Sequence, residues 1–126
     1  LATDLSMEAL TKARRGIYEL PDTLLKSWKK NYFVPAEGGK FQVAPKIKNN
    51  VIFQQFNLMD PIKFKRKFDV IFCRNVMIYF DQATKKALAE RFYEATVPGG
   101  YLIISMSENL DPGTKYRRVG ASIFQK

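Results

Sequence analysis

The spacing of hydrophobic and polar positions changes period several times along the chain. Leu1-Ala2-Thr3-Asp4 reads as the end of a strand. Ser6 follows as an N-cap, with Glu8 and Lys12 one turn apart on the ensuing helix. Leu10, Ala13 and Ile17 form that helix's apolar face, and Gly16 is a C-cap. Pro21 is placed to start a second short helix carrying Leu24, Leu25 and Trp28.

Between residues 31 and 50 the texture turns to short β-type runs, Tyr32-Phe33-Val34 and Lys40-Phe41-Gln42-Val43. They are separated by the hairpin-like break Pro35-Ala36-Glu37-Gly38-Gly39. Val51 to Phe56 reads as a strand closed by Asn57-Leu58-Met59-Asp60-Pro61, and Lys63 to Lys67 is a basic loop. Phe68 to Cys73 is nearly continuously apolar, which predicts a strand covered on both faces. Asp81 caps a helix with the stripe Ala87, Leu88, Phe92 and Ala95, ended by Pro98-Gly99-Gly100. Tyr101 to Ser105 is another buried strand, and Tyr116 to Val119 with Ala121 to Gln125 makes an antiparallel finish joined at Gly120. Strands alternating with helices before a terminal hairpin predict an α/β fold with a mostly parallel sheet.

The length of 126 residues allows at most one domain, and 46% hydrophobic content is enough for a packed core. The sequence has no histidine, which removes Ser-His-Asp and Cys-His nucleophile systems and imidazole as acid or base. Its single cysteine excludes an internal disulfide and any cysteine-rich zinc site, so no metal centre is expected. No apolar run reaches the roughly 18 residues needed to span a bilayer, and no signal peptide opens the chain. These features imply a soluble cytoplasmic domain. The formal charge of +9 suits an acidic protein partner, a solvated surface or nucleic acid, but no known nucleic-acid module accompanies the basic runs.

Ligands of an open parallel sheet bind beyond the carboxyl ends of its strands. Four polar groups fall there: Asp4, Asn57, Arg74 with Asn75, and Ser105 to Glu108. A carboxylate after a second strand accepts the hydroxyls of a ribose, and an Asn just beyond a strand addresses an adenine edge. Asp, Asn and Ser are also common turn and cap residues; four coincident strand ends weigh toward a ligand. No GxGxxG or P-loop motif is present. Cys73, inside an apolar run, reads as a small core residue. Tyr79 lies five residues after Arg74, and a phenol with a guanidinium suits a carboxylate.

Asp69-Val70-Ile71-Phe72-Cys73-Arg74-Asn75-Val76-Met77-Ile78-Tyr79-Phe80-Asp81 resembles the signature of the CheR family of chemotaxis receptor methyltransferases. Ala2-Thr3-Asp4-Leu5-Ser6, Ala9-Leu10, Ala13-Arg14, Gly16-Ile17-Tyr18, Asn57-Leu58, Pro98-Gly99-Gly100 and Ser107-Glu108 match the same family in order. The resemblance covers essentially residues 1–126. It implies a class I, Rossmann-like S-adenosylmethionine-dependent methyltransferase sheet, truncated before its first strand, with a small inserted antiparallel β-subdomain at residues 31–50. The implied reaction esterifies glutamate side chains on the acidic cytoplasmic helices of methyl-accepting chemotaxis receptors, leaving S-adenosylhomocysteine. By the resemblance Asp4 holds the ribose, Asn57 and Leu58 border the adenine, and Arg74 and Asn75 approach the cofactor. Arg74 and Tyr79 then lie at the methyl-transfer site, as orienting groups.

The family's helical N-terminal domain, its first strand and its glycine-rich cofactor loop have no counterpart here. The isolated chain is therefore expected to bind cofactor weakly and to be inactive. Its open sheet edges are expected to be covered by self-association or by rearrangement. Pro35 to Gly39 is shorter than the loop of members that tether to a receptor's C-terminal pentapeptide, which implies a pentapeptide-independent type. The alternative is a non-catalytic docking or cofactor-sensing module derived from a methyltransferase; Arg74 and Tyr79 at the sheet's edge weigh against it. Methylation of nucleic-acid bases is disfavoured because Arg74-Asn75-Val76-Met77 stands where an NPPY-like or DPPY-like tetrapeptide would.

Overall fold

A capping residue and a left-handed glycine set the first structural boundary. Residues 1–126 are all described by a computed structural model. The element order is β1 (Ala2–Asp4), α1 (Met7–Arg15), β2 (Ile17–Tyr18), α2 (Lys26–Tyr32), β3 (Phe33–Pro35), β4 (Phe41–Val43), α3 (Pro45–Lys48), β5 (Phe53–Gln55), β6 (Phe68–Cys73), α4 (Gln82–Ala95), β7 (Thr96–Ile104), β8 (Arg117–Arg118) and β9 (Ile123–Gln125). The chain divides into two compact units, Leu1–Asn57 and Leu58–Lys126. No helix is long and apolar enough to cross a membrane.

In the first unit Ser6 Oγ accepts from the Ala9 N–H at 3.2 Å and starts α1. Gly16 ends it at φ 67°, a left-handed conformation that costs a side-chain-bearing residue energy, with its N–H bonded to the Lys12 carbonyl. Leu10 is the helix's buried anchor. Ile17 does not extend the helix's apolar face as expected. The chain has already turned at Gly16, and Ile17 pairs with Gln42 in β2, partly exposed. β1 and β5 pair in parallel, Ala2 with Phe53 through Asp4 with Gln55.

A separate antiparallel sheet runs in the order β2-β4-β3. It contains the expected pair of runs around Pro35–Gly39, plus a strand drawn from Ile17–Tyr18. Pro21 does not start the second helix. It accepts from the Leu24 N–H at 3.0 Å in a turn, and α2 begins only at Lys26. Asp22 and Thr23 favour that turn. Leu25 and Trp28 are consequently exposed, Trp28 edge-on to Tyr32.

The second unit holds most of the core: Cys73, Met77, Leu88, Phe92, Leu102, Ile104, Tyr116 and Phe124. Its sheet order is β6-β7-β9-β8, with β6 parallel to β7 and the two C-terminal strands antiparallel. Asp81 caps α4, its carboxylate accepting from the Thr84 N–H at 2.7 Å, which lowers its pKa. The buried stripe of α4 is Leu88, Ala89, Phe92 and Ala95; Ala89 faces inward and Ala87 does not. Helical spacing alone leaves both alanines at the stripe's margin, and packing decides between them.

α4 stops at Ala95, before Pro98-Gly99-Gly100, which instead lies within β7. The pairing with β6 shifts register there, between Phe68 and Val70. A Cβ on Gly100 would lie 2.8 Å from the Asp69 carbonyl oxygen and 2.7 Å from Thr96 Cγ2, so only glycine permits this approach. β6 is not covered on both faces. Ile71 and Cys73 turn inward, whereas Val70 and Phe72 share the opposite face, with Phe72 70% exposed. β6 is an edge strand of its sheet, and this face has no layer over it.

Candidate functional site at the strand carboxyl ends

In the first unit Asp4 is the last residue of β1 and Asn57 lies two residues beyond β5; in the second, Arg74 and Asn75 directly follow β6. In the first unit, Asp4 closes β1, and its Oδ1 accepts from the Ser6 N–H at 2.8 Å. That bond fixes the carboxylate at the β1–α1 turn while leaving the group exposed. The Phe56 N–H donates to the Asp4 carbonyl at 3.1 Å, which continues the β1–β5 pairing and sets Asn57 next along the chain beyond β5.

In the second unit, Leu58 is half-buried. It packs on the core, and its carbonyl accepts from Arg91 Nη2 at 2.8 Å. Arg74 and Asn75 follow β6 directly and are exposed. Asn75 is the non-glycine residue with a positive φ, 59°, a conformation asparagine tolerates better than most residues. Two hydrogen bonds clamp it to the end of β7. Its N–H donates to Ser105 Oγ at 2.6 Å, and the Ser105 hydroxyl donates back to Asn75 Oδ1 at 2.6 Å.

Two residues further on, a single helical turn spans Met77–Tyr79. Met77 is fully buried and nails the turn into the core, while Tyr79 points outward, 79% exposed. The stretch after β6 thus presents a guanidinium, an amide and a phenol from one short, anchored segment. This set suits an anionic oxygen ligand: two charge-compatible donors for a carboxylate and a fixed amide beside them.

Cys73 directly precedes this segment and is buried in the core. Burial, then the nearby Glu108 carboxylate, pushes its thiol pKa up to about 11. It is a neutral packing group at ordinary pH, as its apolar sequence context implies.

Sequence reading places Glu108 with Ser105 beyond a strand end but gives it no role, yet it is only 5% exposed. Its Oε2 accepts from the Ser105 N–H at 3.0 Å, while the Glu108 N–H bonds the Ser105 carbonyl at 3.1 Å. Oε1 is buried without a partner. The Ser-x-x-Glu spacing is the available signal, since it is the half of a capping box in which the glutamate reaches back to a backbone N–H. No helix follows to make it recognisable.

The family model described as "CheR methyltransferase, SAM binding domain" matches residues 1–123. A chemotaxis protein methyltransferase of Borreliella burgdorferi is 44% identical over 131 residues, covering 100% of this chain and 46% of that protein. One from Pseudomonas putida is 40% identical, covering 88% of this chain and 42% of its own length. One from Salmonella typhimurium is also 40% identical, covering 86% and 40% respectively. The chain spans less than half the length of these curated relatives.

Proposed function

The chain belongs to the CheR methyltransferase SAM-binding domain family, and from that premise we propose that it forms part of an enzyme methylating glutamate side chains of chemotaxis receptors in the cytoplasm. S-adenosylmethionine is the cofactor of the family. On this reading the exposed Asp4 carboxylate takes the ribose hydroxyls, and Asn57 and Leu58 border the adenine. Arg74 and Asn75, beyond β6, hold the remaining polar part. When bound, the cofactor supplies an electrophilic methyl group on a sulfonium.

The residues of this chain then have one task, to aim a carboxylate. A glutamate is already ionised at neutral pH, so it needs no base, in keeping with a sequence that has no histidine. Arg74 attracts the carboxylate and Tyr79 donates to one of its oxygens, leaving the other oxygen free to attack. Full neutralisation by a two-point clamp would weaken the nucleophile. The observation that carries this reading is the anchored segment after β6, which presents Arg74, Asn75 and Tyr79 exposed over a buried Met77. The +9 charge complements acidic receptor helices.

The test is to incubate the whole enzyme carrying this segment with methyl-labelled S-adenosylmethionine and the cytoplasmic part of a receptor. Label that is released as methanol in mild alkali, and lost when the receptor glutamates are changed to alanine, is the expected result. Alkali-stable label, or label on nucleic acid, would refute the proposal.

A further inference from the structure

We propose that Glu108 is a positioning residue for the cofactor contact of Asn75, acting through Ser105. This rests on the assignment of Asn75 to the cofactor. Asn75 sits at φ 59°, a conformation that persists in a side-chain-bearing residue only when its surroundings hold it there. The holding group is the Ser105 hydroxyl, which receives the Asn75 N–H and donates to the Asn75 Oδ1, both at 2.6 Å. With Oδ1 so engaged, the Asn75 amide is fixed in rotation.

Ser105 is itself held. It is buried at the end of β7, and its backbone N–H points at Glu108 Oε2, 3.0 Å away. The reciprocal bond from the Glu108 N–H to the Ser105 carbonyl closes the turn. Glu108 therefore locks the backbone from which the Asn75 clamp projects.

The carboxylate is costly where it stands. It is 5% exposed, and Oε1 has no hydrogen-bond partner. A buried, half-satisfied carboxylate lowers stability compared with a fully paired or apolar group of its size. Packing alone gives no reason for it, whereas fixing Ser105, and through it Asn75, does. A side chain one step removed from a ligand commonly orients the one that touches it.

The experiment uses the whole methyltransferase and four variants: Asn75→Ala, Ser105→Ala, Glu108→Ala and Glu108→Gln. Titration with S-adenosylhomocysteine, steady-state KM for the receptor and thermal unfolding are read for each. Asn75→Ala should weaken S-adenosylhomocysteine roughly tenfold, the loss of one oriented polar contact. Ser105→Ala and Glu108→Ala should each approach that loss with the receptor KM unchanged. Glu108→Gln, whose amide oxygen still accepts from the Ser105 N–H, should restore affinity.

Affinity within twofold of wild type in both Ser105→Ala and Glu108→Ala would overturn the proposal. So would a parallel fall of affinity, receptor KM and melting temperature that Glu108→Gln does not rescue, since that marks a merely structural role. If Glu108→Ala does not fold, Ser105→Ala and Glu108→Gln decide alone: Ser105→Ala must weaken binding while Glu108→Gln keeps it. An Asn75→Ala variant that binds normally would instead refute the assignment of Asn75 to the cofactor.

Discussion

The Tyr116 hydroxyl donates to Thr96 Oγ1 across 2.8 Å, because the Thr96 hydroxyl hydrogen is already committed to the Phe92 carbonyl at 2.7 Å. Both groups are buried, Thr96 completely. This pair ties the end of α4 and the start of β7 to the segment leading into β8. Tyr116→Phe removes one bond and should cost about 1 kcal/mol in urea unfolding. Thr96→Val should cost more, about 2 kcal/mol, because it strands the Tyr116 hydroxyl and takes a partner from the Phe92 carbonyl. The reverse order would mean that the hydroxyl relay is misassigned.

Stability should decline on the alkaline side in two steps. Burial raises the Cys73 thiol from 9.0 to about 11, with the Glu108 carboxylate adding to it. Burial likewise raises the Tyr116 phenol from 10.0 to about 12. Each group binds its proton more tightly when folded, so the unfolded chain releases protons first and stability falls as pH rises between the two values. Below pH 9 both contributions are fully present. Cys73→Ala should abolish the decline that begins near pH 9 and leave the one that begins near pH 10, as followed by denaturant midpoints across that range. A Cys73→Ala profile parallel to wild type would show that the thiol is not the group titrating.

The legible parts were those where a single residue decides a local structure. Ser6 and Asp81 cap helices in the structure as their spacing implies; Asp4 closes a strand, and Asn57, Arg74 with Asn75 and Ser105 stand beyond strand ends. What escaped sequence reasoning depended on partners distant in the chain. A two-residue strand such as Ile17–Tyr18 has no period to read and exists because Gln42 and Phe41 lie opposite it. The apolar run at β6 implies two covered faces, but burial of Phe72 depends on a neighbour that pattern cannot supply. Glu108 looks like any polar residue after a strand, and only the closed turn with Ser105 reveals it as buried.

Arg74 and Tyr79 are exposed, so changing them should leave unfolding temperature unaltered while activity drops. Tyr79→Phe removes one oriented donor and should lower kcat about tenfold. Arg74→Lys keeps the charge but loses the planar fork, and should raise the receptor KM about tenfold. Steady-state methylation of a receptor fragment by the whole enzyme separates the two effects. Full activity in both variants would remove these side chains from the proposed mechanism.

The claim that the strand carboxyl ends form an S-adenosylmethionine site is tested most directly by titrating S-adenosylhomocysteine into the whole methyltransferase and its Asp4→Ala variant. Asp4 is exposed, and its side chain holds only the Ser6 N–H at 2.8 Å, so the variant should fold. The account predicts clear binding by the parent and a loss of roughly tenfold or more in the variant, the cost of an unmatched ribose contact. Equal affinity in the two proteins would contradict it.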